Sequence, residues 1–236
     1  MLQRHSLILW ANAANEDFQV SLNKAHDLLL ALKEFGPELS PNYITAKKKK
    51  EAPNFDWSLE TLQELLKKGV NKEGKTVFPD LGYSVSFFSS LKDDDSAGIS
   101  MLVGASNSSI TNNFIVNLPL SLPIYESPEV NKRLITVFKE CVRIFSPFWA
   151  CIGNGVNLRR YDGYWSDKLP TAIHWVNYFG SDVSKTFGEA KITSSPTYSK
   201  EKLHSGYLIV LKDGPINDEI EDDIKLQQRA NSHFSL

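Results

Sequence analysis

The chain has 236 residues, with 26 Lys plus Arg against 28 Asp plus Glu for a net charge of -2, and 42% of it is hydrophobic and 11% aromatic. That composition excludes a disordered or fibrous chain, and the near-zero charge excludes a strongly basic nucleic-acid binder, whose phosphate contacts need a surplus of Lys and Arg on one face. A chain of this length buries roughly 70 to 75% of its unfolded surface, enough for one sizeable core, and a single domain spanning 1–236 is the expectation.

Arg4 and His5 precede Ser6-Leu-Ile-Leu-Trp10. The apolar stretch from Leu7 to Ala11 is shorter than the roughly 7 to 15 residues of a secretory core, so it reads as a first buried strand. No later run reaches the roughly 20 apolar residues of a membrane span, and the expectation is a cytoplasmic protein with no membrane partner. Asn15-Glu16-Asp17 offers a helix cap, and Phe18, Leu22, Ala25, Leu29 and Leu32 recur at helical spacing until Gly36-Pro37. Residues 37–56, with Pro37, Pro41, Pro53 and the run Lys47 to Lys50, read as an exposed loop. Trp57-Ser58 caps a second helix with a Leu59, Leu62, Leu65, Leu66 stripe.

From Val77 onward the period changes to that of strands: Tyr83 to Phe88, Gly98 to Val103 and Phe114 to Leu118, joined by short turns, predict an antiparallel meander. The clearest helix follows, with Ser127 as N-cap, Pro128 in its first position, and Val130, Leu134, Val137, Phe138, Cys141 and Phe145 on one face. Phe148 to Ile152, Ile173 to Phe179 and Tyr207 to Leu211 read as buried strands, and Ile216 to Phe234 as a polar, acidic closing helix. The order predicts an α+β fold, a mixed, mostly antiparallel sheet with helices packed against it.

None of the short motifs that carry a mechanism is present: no G-x-S-x-G, no phosphate-binding loop, no H-E-x-x-H and no paired C-x-x-C. No cofactor, metal ion or catalytic residue is expected. Gly153-Asn-Gly155 reads as a turn. Cys141 and Cys151 sit in apolar surroundings and read as reduced, buried thiols, although the sequence leaves a disulfide between them open. Of the five histidines only His174 lies in a strongly apolar strand, where a satisfied core residue is the ordinary reading and a general base the rival one.

Three segments suit protein recognition. Asp93-Asp94-Asp95 falls in a turn between two strands. Arg159-Arg160-Tyr161-Asp162-Gly163-Tyr164-Trp165 concentrates the residue types enriched at binding hot spots, although such aromatics also cover sheet edges. Asp213, Asp218, Glu219, Glu221, Asp222 and Asp223 place six carboxylates in eleven residues, partly explained by the positive end of a helix dipole and partly suited to steering a basic partner. Since lysines gather at 47–50 and acids at 93–95 and 213–223, a surface divided by sign is expected.

The stretch Leu169-Pro-Thr-Ala-Ile-His-Trp-Val-Asn-Tyr-Phe-Gly180 resembles the Gly-Trp-x-x-Tyr strand of family fifty-two of the bacterial polymorphic-toxin immunity proteins, with Trp175 and Tyr178 at its aromatic positions. The apolar strand Gly206 to Leu211, the acidic turn Asp213 to Asp223 and the last helix are similar to that family's C-terminus, and the likeness spans roughly 80–234. It departs at His174, where the family pattern has glycine. The resemblance implies a small cytoplasmic α+β protein that neutralises a cognate type VI secretion toxin, a nuclease of restriction-endonuclease fold. Such a protein works by binding, with no direct contact to nucleic acid and no catalytic residues. The partner-binding candidates are Asp93, Asp94, Asp95, Arg159, Arg160, Asp162, Tyr164, Trp165, Asp218, Glu219, Glu221, Asp222 and Asp223. The rivals are a small-molecule enzyme with His174 in its pocket and a structural subunit of a larger assembly.

Overall fold

The structure is a computed structural model that describes residues 4–154, 165–166 and 169–236. The chain is α+β and forms two compact units, one of Met1–Ile8 with Pro123–Leu236 and one of Leu9–Leu122. The first strand, β1 (His5–Ala11), is buried at every position and runs from the first unit into the second.

The Leu9–Leu122 unit is a meander covered by two helices. Its strands β2 (Tyr43–Ile44), β3 (Val70–Glu73), β4 (Thr76–Phe88), β5 (Gly98–Ala105) and β6 (Asn112–Asn117) are ordered β6-β5-β4-β2, with β3 also on β4, and every pairing is antiparallel. Burial alternates residue by residue along β5 and β6, so Ile99, Met101, Val103, Phe114 and Val116 line the core. Gly74, at φ 59, opens the two-residue turn between β3 and β4, a conformation that costs glycine little. Helix α1 (Phe18–Phe35) packs on β5 and α2 (Leu59–Lys68) on β4, and the Ser58 hydroxyl caps α2 by accepting from the Thr61 amide.

Segment 37–56 departs from the exposed loop that its prolines and lysines suggest. Leu39, Pro41 and Phe55 are buried, Tyr43 and Ile44 pair with Phe88 and Phe87, and Lys49–Glu51 forms a 3-10 turn. The Tyr43 ring stacks on Phe88 at 5.4 Å, so apolar contact with a distant strand overrides local composition.

In the other unit, β7 (Trp149–Asn154), β10 (Val176–Phe179), β11 (Ser199–Leu203) and β12 (Gly206–Val210) are ordered β11-β12-β10-β7, all antiparallel, while β8 (Trp165–Ser166) and β9 (Leu169–Pro170) form a separate pair. Strands β7 and β10 are buried at every position, which is why they read as continuous apolar runs. Helix α3 (Pro128–Phe145) turns Leu134, Phe138, Cys141 and Phe145 inward, and the Ser127 hydroxyl accepts from the Val130 amide as its cap. The closing helix α6 (Glu221–Phe234) begins five residues later than the sequence suggests, and α4 (Ser181–Phe187) and α5 (Glu189–Thr193), with strand β11, occupy a stretch the sequence left unassigned. Phe179, Phe187 and Phe234 form a three-ring cluster, with centroids 4.9 to 5.4 Å apart, that ties β10, α4 and α6 together.

Helix α6 buries a stripe that is largely polar: Asp223, Gln227, Asn231 and Phe234. Asn231 Oδ1 accepts from the Ile173 amide at 2.7 Å, and Gln227 Nε2 donates to the Ile173 carbonyl at 2.7 Å. A near-isosteric Asn231→Leu substitution leaves the Ile173 amide buried without its acceptor, and it should cost about 1–3 kcal/mol of stability in urea unfolding with an unchanged m-value.

Candidate functional site

The acids around the start of α6 divide into two groups. Asp223 is only 4% exposed; its carboxylate accepts from Lys212 Nζ at 2.6 Å and from the Asn217 amide at 2.9 Å, which holds the 212–217 turn against the first turn of the helix. It is engaged inside the unit. Asp213, Glu219, Glu221 and Asp222 are exposed and Asp218 is half-buried, and Ile220 stands among them with 46% of its surface in solvent. Beside them, burial and the nearby charges of Asp218, Asp223 and Glu219 push the Tyr125 phenol up to about 12. The result is an acidic rim with one protruding aliphatic side chain, an arrangement suited to a basic partner that offers a pocket.

Asp93, Asp94 and Asp95 occupy the exposed turn between β4 and β5, where the sequence places them. They are not segregated from the lysines: Lys49 Nζ lies 2.7 Å from an Asp93 carboxylate oxygen, and Lys92 pairs with Asp95 at 3.9 Å. The Lys47–Lys50 run and the Asp93–Asp95 run thus meet in one unit, which corrects the expectation of a surface divided by sign. Trp165 contributes its backbone to β8, opposite Pro170. Arg159, Arg160, Asp162 and Tyr164 lie outside the described residues.

His174 is 1% exposed. Neither of its ring nitrogens has a hydrogen-bond partner among the described residues. Its ring lies 5.9 Å from that of Trp149, and a Cβ at Gly153 would approach its Nδ1 to 2.6 Å, so glycine there leaves the ring its space. Burial first, and His5 second, lower its pKa to about 4, so the ring is neutral at pH 7. Its backbone is held by Asn177, which accepts from the His174 amide at 3.0 Å and donates to the His174 carbonyl at 2.8 Å. A general base must reach the proton it takes; this ring faces protein. Trp175 and Tyr178 are likewise buried, and the Trp175 indole donates to the Lys212 carbonyl.

Burial raises both cysteine thiols, Cys141 and Cys151, and both are free. Among the described residues, no three His, Cys, Asp or Glu side chains converge as metal ligands. No helix among them is long and apolar enough to cross a membrane.

One feature the sequence did not signal is a groove of about 290 Å³ beside α3, with Ile135, Leu208, Val210 and Trp175 among its lining residues and Lys132, Lys139, Lys200 and Lys212 around it. Asn131 is among its lining residues, and its side-chain oxygen is enclosed with no hydrogen-bond partner among the described residues. Strand β11 (Ser199–Leu203), on one side of the groove, is charged and exposed at its first four positions and carries no apolar periodicity that would mark it in the sequence.

Two measurements test these assignments. Asp223→Asn should cost about 1–3 kcal/mol, since it weakens bonds to Lys212 and to a buried-side amide, whereas Glu221→Gln and Asp222→Asn should stay within about 0.5 kcal/mol. As pH falls from 6.5 toward 4, the unfolded chain takes up a proton at His174 that the folded chain refuses, so stability should decline by up to about 3 kcal/mol over that window. His174→Asn should flatten that part of the profile in chemical unfolding.

No family model matches the chain, and no curated protein does. Among solved structures, it is similar to the Pseudomonas aeruginosa T6SS protein PA0821, with a TM-score of 0.65 and 11% identity over 98% of this chain and 72% of that one; at this identity the likeness is one of fold.

Proposed function

We propose that this chain acts in a type VI secretion context as an immunity protein, binding a cognate toxin stoichiometrically and neutralising it by occluding its active site or blocking an assembly it needs. The observation that carries the reading is the fold likeness to a Pseudomonas aeruginosa T6SS protein across 98% of the chain. The resemblance of the Trp175 and Tyr178 strand and of the acidic C-terminal turn to an immunity family supports the same reading. The toxin is proposed to be a nuclease of restriction-endonuclease fold.

The surface suits that partner. A nuclease presents basic residues where it holds nucleic acid, and the rim of Asp218, Glu219, Glu221 and Asp222 around Ile220 offers carboxylates to those residues and an apolar anchor at their centre. Asp223 supports the rim from within by fixing the turn on which Asp218 and Glu219 sit. Arg159, Arg160, Asp162, Tyr164, Trp165 and the Asp93–Asp95 turn are the further candidates for contact.

The test is co-purification with the product of the adjacent gene together with rescue of cells expressing that product. Both should succeed, and failure of both sinks the proposal. In the complex, a combined Asp218→Lys, Glu219→Lys and Asp222→Lys variant should weaken binding at least tenfold, about 1.4 kcal/mol, mostly through a slower and less salt-dependent association rate.

A further inference from the structure

A sheet edge presents a row of unpaired amides and carbonyls, and a second copy of the same chain pairs with it unless something prevents the contact. At β2 the chain covers its own edge. The Ile44 amide donates to the Pro53 carbonyl, the Phe55 amide donates to the Asn42 carbonyl, and Asn54 bridges to Tyr43, so residues 53–55 lie along the outer side of that strand. β11 has no such cover. It ends the ladder β11-β12-β10-β7, no described strand pairs with its outer side, and Ser199 to Lys202 are exposed along it.

The charges on β11 stand where self-pairing brings them together. In an antiparallel pair related by a two-fold axis, each residue faces itself or one an even number of positions away, because side chains alternate between the two faces of a strand. Lys200 and Lys202 are two positions apart. The register centred on Glu201 therefore sets Lys200 of each copy opposite Lys202 of the other, and the registers centred on Lys200 or on Lys202 set that lysine opposite itself. Like charges directly opposite one another destabilise a strand pair. Neither ammonium group is neutralised from within: among the described residues no carboxylate pairs with either, Lys200 is bonded to the neutral carbonyls of Thr193 and Ser195, and Glu201 between them is taken by Lys139.

We propose that the two-residue spacing of Lys200 and Lys202 keeps the β11 edge from pairing with a second copy of this chain, so that at this edge the protein stays single through charge placement rather than through a covering segment. The spacing matters more than the lysine content. A Lys202→Glu change converts both lysine-against-lysine contacts of the Glu201-centred register into contacts of opposite sign. On the other face of that register Glu201 meets its own copy, but each is already neutralised by Lys139 of its own chain. One exposed side chain thus decides between an edge that repels its copy and one that accepts it.

The test needs only the full chain, so its outcome is separate from that of co-purification and rescue. In the central register position 201 faces its own copy at a Cα separation of about 4.5 to 5.5 Å, within reach of a disulfide, and both native cysteines are buried. Glu201→Cys is therefore a reporter for that register. The rate of disulfide-linked dimer formation under mild oxidation is compared, at equal concentration and low salt, for Glu201→Cys alone, for Glu201→Cys with Lys202→Glu, and for Glu201→Cys with both Lys200→Glu and Lys202→Glu. The second should cross-link roughly tenfold faster than the first, since two cross-strand pairs change sign. The third restores like charges and should fall back to the rate of the first, and added salt should narrow the difference. Equal rates for the first and second, or a third as fast as the second, would overturn the proposal. So would concentration-dependent protection of the Lys200 and Lys202 amides in the unaltered chain, a measurement that needs no variant to fold.

Discussion

The Met1–Ile8 and Pro123–Leu236 unit depends on satisfying two consecutive buried peptide groups that belong to no strand. Residues Ile173 and His174 enter the interior just ahead of β10, and a buried amide or carbonyl without a partner costs on the order of a few kcal/mol. Side chains supply the partners: Asn231 and Gln227 from α6 for Ile173, and Asn177 from β10 itself for His174. The polar stripe on α6 follows from this requirement. Helix α6 is held to the sheet by directed bonds as well as by the Phe179, Phe187 and Phe234 cluster, which fixes its rotation and therefore the direction in which its first-turn acids point.

That fixed rotation decides which carboxylates are available to a partner. Counting back from Phe234 in steps of three or four residues passes through Asn231, Gln227 and Asp223, so Asp223 falls on the inner face while Glu221 and Asp222 fall outside. The sequence contains this information, but the stripe is polar and a search for apolar periodicity passes over it. The acidic rim was legible as a cluster, whereas the separation of its structural member from its exposed ones depended on recognising a polar inner face. Ile220 escaped notice for the opposite reason: a single aliphatic residue in a charged run looks like a core residue.

Elements with strong local signals were readable. Helix α3 carries Ser127, Pro128 and an unbroken apolar stripe, and the alternation along β5 and β6 gives the meander. Elements set by distant contacts were not. Strand β2 has two residues and exists because Phe87 and Phe88 offer it a partner, and the pair Lys49 and Asp93 joins residues 44 positions apart. The sequence leaves strand β11 unassigned because its own residues are charged and exposed and its apolar support comes from β12. For β2 and for the Lys49–Asp93 pair the stabilising neighbour is remote along the chain; for β11 it is the adjacent strand of the same hairpin, and the charge of its own residues hides it.

Gly153 and His174 share one volume, and only one of them can fill it. The pairing links a position on β7 with one in the segment that leads into β10 in a single steric decision. A relative with glycine where this chain has His174 would have room for a side chain at the position of Gly153, and a chain with side chains at both would have to part β7 from the residues leading into β10. The size of the residue at 174 is therefore set by what stands at 153, and a bulkier side chain at one requires a smaller one at the other.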